Sequence, residues 1–150
     1  MEEIRFNSHE TEFGFLSNFY PVAVQYSGYI FRNSEAAFQG MKEPEKLGIF
    51  STYGASEAKY YGRRAKLRPD WELVKDDIMY EICWHKFADN PAMREKLVGT
   101  GDATLIEETW WHDTYWGICT CPRCGGRGQD KLGKILMNIR ENIKERYYNG

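Results

Sequence analysis

Apolar residues alternate with polar ones at the start of the chain, where Ile4 and Phe6 flank Arg5, and a period of two is the mark of a half-buried strand. The same reading gives strands over residues 22–26 and 29–32, joined at Ser27-Gly28 into a small hairpin. A loop, Phe15-Leu16-Ser17-Asn18-Phe19-Tyr20-Pro21, precedes the hairpin. After it the period lengthens. Asn33 or Ser34 is suited to cap a helix running to Glu43, where Pro44 discourages continuation. A short basic helix follows over 56–64. Pro69 opens a longer one carrying Trp71, Val74, Ile78, Ile82 and Phe87 at mostly helical spacing, and Asn90-Pro91 breaks it. Residues 92–98 read as another short helix, 104–107 as a strand and 110–128 as an irregular Gly- and Cys-containing loop. Residues 131–147 form a closing helix with Leu132, Ile135, Leu136, Ile139 and Ile143 inward. The pattern predicts an α+β fold: one helix-dominated domain over residues 1–150 with a small N-terminal β-hairpin or sheet.

Composition narrows the class. A chain of 150 residues suffices for one full core, and five Trp with ten Tyr exceed what a minimal core requires, which fits a pocket that stacks planar groups. A net charge of −2 argues against non-specific nucleic-acid binding by the whole surface. No apolar run reaches the length of a membrane span, and Met-Glu-Glu-Ile-Arg-Phe is not the start of a signal peptide, so the expectation is a cytoplasmic protein without a membrane partner. Three of the four cysteines crowd into Cys119-Thr120-Cys121-Pro122-Arg123-Cys124, unlike the spread cysteines of a secreted disulfide framework.

Chemistry enters with Asn33-Ser34-Glu35-Ala36-Ala37-Phe38-Gln39-Gly40-Met41-Lys42. On a continuous helix Glu35, Gln39 and Lys42 share one face, a carboxyl, an amide and an amine in position for acid, base and imine chemistry. The plain alternative is a solvated stripe. Arg63, Arg64, Lys66 and Arg68 form a basic run suited to phosphates or, as simply, a solvated helix end. Cys121 and Cys124 have zinc-knuckle spacing, with Cys119 as a third ligand and His112 or Cys83 as a fourth. The frame lacks a second ligand pair, so no metal is assigned. His85, on the long helix, reads as structural.

Several segments together resemble the NADAR (NAD- and ADP-ribose-associated, YbiA-like) family of N-glycosidases. They are Phe15 through Pro21, Ser34-Glu35-Ala36-Ala37-Phe38-Gln39 followed by Lys42, Asp70-Trp71 with Lys75, Lys86-Phe87, Leu105-Ile106-Glu107, Asp113-Thr114-Tyr115-Trp116-Gly117, and Leu132-Gly133-Lys134-Ile135-Leu136-Met137 to Arg140. The order and spacing of these segments cover nearly the whole chain. One position departs: Asp130 stands where the family usually has Asn.

The resemblance implies hydrolysis of a bond between ribose and an exocyclic amine. The substrate is ADP-ribosylated guanine in DNA or RNA, or a small phosphorylated ribosylamine of riboflavin synthesis, with no cofactor and no obligate protein partner. It makes Lys42 a Schiff-base nucleophile and Glu35 its acid and base, with Asp113 sharing that work or binding ribose hydroxyls. It places Asn18, Phe19, Gln39, Arg64, Trp71, Tyr115, Trp116, Gly117 and Asp130 around the substrate. For single residues the plainer readings stay open: Trp116 as core, Asp113 and Asn18 as turn formers. A non-catalytic module that binds ADP-ribose or a related nucleotide is the alternative for the whole chain.

Overall fold

The computed structural model describes residues 2–149, and its chain divides into two units, one joining the segment that ends at Ser17 to the chain from Ala92 onward, the other Asn18–Pro91. In the first, strand β1 (Glu3–Phe6) buries Ile4 and Phe6 and exposes Glu3 and Arg5, as its alternation predicts. It pairs in parallel with β4 (Thr104–Thr109), Ile4 opposite Leu105. Two short strands within the expected loop over 110–128, β5 (Ile118–Cys119) and β6 (Arg127–Gly128), extend this into a four-stranded sheet of order β1-β4-β5-β6. Helix α6 (Lys131–Ile143) packs on β4 with Leu132, Leu136, Ile139 and Ile143 buried, and a single wider turn over Lys144–Tyr148 finishes it.

In the second unit β2 (Val24–Tyr26) and β3 (Tyr29–Phe31) form the expected antiparallel hairpin. Ser27 and Gly28 both have positive φ, 51° and 85°, the pair that a two-residue turn needs to match strand twist. Helix α1 (Ser34–Gly40) is capped by Asn33, whose Oδ1 accepts the Ala36 N–H at 2.8 Å. Against α1 pack α2 (Leu47–Phe50), α3 (Ala55–Gly62) and α4 (Trp71–Ala88). Helix α5 (Pro91–Val98) begins at the expected break, and from Ala92 onward it belongs to the first unit. Among the described residues no helix is long and apolar enough to cross a membrane.

One expectation is corrected. Helix α1 ends at Gly40, so Lys42 does not continue its face. Gly40 is a poor helix former pressed so closely on α2 that a Cβ would meet Leu47 Cδ2 at 2.9 Å. The residue before Pro44, Glu43, is driven out of the helical region, to φ −139°, ψ 80°. The chain leaves the helix through a tight turn, with the Lys42 N–H donating to Gln39 O and the Glu43 N–H to Gly40 O.

Candidate active site

Glu35 sits in the first turn of α1 and is buried, its own N–H donating to the Asn18 carbonyl at 3.0 Å. One turn on, Gln39 Nε2 donates to Glu35 Oε2 at 2.7 Å, which holds the carboxylate in one orientation. Gln39 is itself fixed from the far side by α3: Gly62 lies so near that a Cβ there would collide with the Gln39 amide. The other end of this amide, Oε1, is buried without a hydrogen-bond partner. A buried acceptor in that condition costs free energy of order 1–3 kcal/mol.

Although Lys42 lies beyond the helix, the turn keeps it within electrostatic reach of Glu35. Burial lowers the Lys42 pKa below the ordinary lysine value; Glu35 opposes this, and the charges of Arg63 and Lys75 push further down. The side chain remains partly accessible. Lys86 on α4 makes the contrast: its amine is pushed down to about 8 by burial, yet it is only 1% exposed and lies over the Phe87 ring, so no substrate can reach it.

The remaining sequence candidates in this unit have other occupations. Asn18 is buried, its Nδ2 donating to Met79 Sδ and its Oδ1 accepting from Cys83 Sγ, so its bearing on the site is the carbonyl that anchors Glu35. Trp71 is 5% exposed and packs its ring on Phe38 at 5.0 Å, a core position. Phe19 lies under the Lys59 ammonium at 5.8 Å. Arg64 folds back over the Tyr60 ring at 3.8 Å and donates to the Tyr60 carbonyl, while Arg68 pairs with Asp70 at 2.7 Å. The cations whose charge Lys42 feels are Arg63 and Lys75, which spacing along the chain could not select because α1, α3 and α4 are brought together only by packing.

The unit from Ala92 onward carries its own group. Asp113 Oδ1 accepts the N–H of Tyr115 at 3.0 Å and of Trp116 at 2.9 Å, so one carboxylate oxygen closes a turn. Tyr115 and Trp116 are half-buried and meet edge to face at 4.9 Å. Gly117 passes so near β4 that a Cβ would lie 2.5 Å from the Glu107 carbonyl oxygen.

Comparisons with known proteins give the family and the fold. A family model described as the NADAR domain matches residues 5–144. The chain belongs to the NADAR family. N-glycosidase YbiA of Escherichia coli (strain K12) is 33% identical over 145 residues, which cover 93% of this chain and 88% of that protein. An N-glycosidase of Nostoc punctiforme is also 33% identical, over 88% of this chain and 86% of its own. A riboflavin biosynthesis protein of Vibrio vulnificus is 30% identical over 149 residues, and the chain spans 39% of that protein's length. Among solved structures, the NMR structure of the E. coli protein YbiA superposes with a TM-score of 0.84 at 28% identity, over 99% of this chain and 89% of that one. The α+β fold is therefore the NADAR fold.

Within the NADAR frame Asp130 has a structural occupation. It takes a left-handed conformation, φ 50° and ψ 47°, and its Oδ1 accepts the Gly133 N–H at 3.2 Å and the Glu107 N–H at 3.0 Å, capping α6 and tying it to β4. A Cβ on Gly133 would strike this carboxylate and the Leu105 carbonyl, which explains the glycine. Burial pushes the Asp130 carboxyl up to about 6 against the two backbone donors that favour its ionised form.

Proposed function

We propose that this chain is an N-glycosidase that hydrolyses a bond between ribose and an exocyclic amine through a Schiff base on Lys42. The observation that carries this reading is an accessible lysine amine driven toward neutrality by burial, beside a buried carboxylate held in place by Gln39. A glycosylamine can open its sugar ring to an imine. The neutral Lys42 amine adds to that carbon, the base departs as a free amine, and water then cleaves the lysine imine to release the sugar aldehyde. Glu35 protonates the ring oxygen or the departing amine and afterwards takes a proton from the attacking water. Arg63 and Lys75, which lower the Lys42 pKa, also suit a phosphorylated substrate. Supporting the hydrolase class are the N-glycosidase names of the relatives that this chain nearly spans. The two substrate classes are a phosphorylated ribosylamine of riboflavin synthesis and ADP-ribosylated guanine in nucleic acid.

The test is incubation with each substrate in turn, with borohydride added to matched samples to trap any imine. Released base with a sugar adduct on Lys42, and loss of both in Lys42→Ala with loss of turnover in folded Glu35→Gln, is the expected result. Stoichiometric binding of ADP-ribose with neither release nor adduct would replace the enzyme by a binding module. Asp113→Asn keeps an acceptor for both loop amides and removes the acid: lost turnover in a folded variant assigns Asp113 to proton transfer, and unchanged turnover assigns it to the loop.

A further inference from the structure

Beyond the proposed active site, the sheet of the Ala92-onward unit ends in a cluster that glycosyl hydrolysis does not use. His112, Cys119, Cys121 and Cys124 bring one ligand atom each to within 4.8 Å of one another. His112 Nδ1 lies 3.3 Å from Cys124 Sγ and 3.4 Å from Cys121 Sγ. In a tetrahedral zinc site with bonds of about 2.3 Å to sulfur and about 2.0 Å to nitrogen, ligand atoms stand roughly 3.5–3.8 Å apart. The four side chains thus already surround a hole of the right size. Cys83, the other fourth ligand open on sequence, is engaged with Asn18 instead.

We infer that these four residues form a closed structural zinc site that fastens the end of the four-stranded sheet. Its backbone has the features of a metal knuckle. The Cys124 N–H donates to Cys121 Sγ at 3.4 Å, and the Gly125 N–H donates to the Cys121 carbonyl at 2.8 Å. Gly125 and Gly126 turn the chain back with φ of 60° and 87°. His112 takes a left-handed backbone conformation, with a φ of 67°.

The sheet also needs a fastening. β5 and β6 have two residues each, too short to persist by ladder bonds alone. The three thiols form a buried cluster by themselves, with little apolar area to offer. Cys119 pairs with Thr109 at the end of β4, so one ion ties the β4 end, β5 and the β5–β6 turn together. Zinc would be held by three thiolates and a neutral imidazole. The resulting net charge of −1 sits in a turn that carries Arg123 and Arg127. Four protein ligands leave no open position, so the metal does not touch substrate. It fixes His112 and, through it, the adjoining Asp113 turn.

Metal analysis of the full chain, purified under reducing conditions from zinc-supplemented cells, tests this directly. One zinc per chain is expected. Cobalt exchanged into the site should give thiolate charge-transfer bands and intense tetrahedral d–d bands. Cys121→Ser and His112→Ala should lose most of the metal, whereas Cys83→Ser should retain it. Less than a tenth of an equivalent after reconstitution of the wild-type chain, weak octahedral cobalt bands, or equal loss in Cys83→Ser would overturn the assignment. The wild-type metal content decides the matter even if the cluster variants fail to fold.

Discussion

Lys42 and Asp130 are partly or wholly buried titratable residues whose shifts act in opposite senses. For Lys42 the folded state binds a proton more weakly than the unfolded chain. Stability is therefore unaffected above the unfolded pKa and is lost as pH falls toward the depressed folded value. At neutral pH Lys42→Met should be at least as stable as the wild type while losing turnover, the pattern of a residue kept for chemistry. In the wild type kcat/KM should rise with pH and level off below the ordinary lysine value of 10.5; a profile flat across that range would remove the amine from the rate-determining step. For Asp130 the sign reverses. Its carboxyl is raised to about 6, so the contribution to stability is full below about pH 4 and lost as pH rises through about 6. Asp130→Asn preserves the acceptor and suits the left-handed backbone, and it should gain about 1 kcal/mol near pH 7 and nothing near pH 4. Denaturant midpoints at the two pH values measure it.

At the level of elements, the site depends on how closely α3 approaches α1. Gly62 is the point of contact, and there a methyl group would displace the Gln39 amide. In Gly62→Ala the gain in helix propensity, about 1 kcal/mol, is opposed by an overpacking cost of about 1–3 kcal/mol. The expected outcome is a modest fall in Tm with a disproportionate loss of turnover, because Gln39 no longer orients Glu35. Equal turnover in the variant would show that this orientation is dispensable. The early end of α1 has a related cause. Gln39, Gly40 and Met41 continue a helical pattern to Lys42, and only the packing of Leu47 and Phe50 onto Gly40, together with Pro44, stops the helix early. The strands β5 and β6 were illegible because two-residue strands have no periodicity to read.

For the whole molecule, charge sets the mode of encounter with a polymer. A net charge of −2 with local basic groups predicts weak binding to unmodified oligonucleotide, its salt dependence corresponding to about one or two phosphate contacts. Fluorescence anisotropy across a salt series should give a shallow slope; a steep one, equivalent to about six contacts or more, would require a basic surface that the composition does not supply. Any affinity for a modified strand then comes from the modified nucleotide itself.

Local sequence alone determined the elements whose signals are local: the alternation of Ile4 and Phe6, the Ser27-Gly28 turn, a cap at Asn33 or Ser34 and the inward face of α6. The ordered motifs determined the family, and with it Glu35 and Lys42 as the pair to examine. Tertiary structure decided what depends on residues far apart in the chain. It paired β1 with β4 across about a hundred positions. It selected Arg63 and Lys75, rather than Arg64 and Lys66, as the cations acting on Lys42. It also chose His112 over Cys83 as the neighbour of the cysteines. Spacing can place side chains on one helix, but the burial that lowers an amine's pKa and the convergence of separate elements on one point arise only when the chain packs.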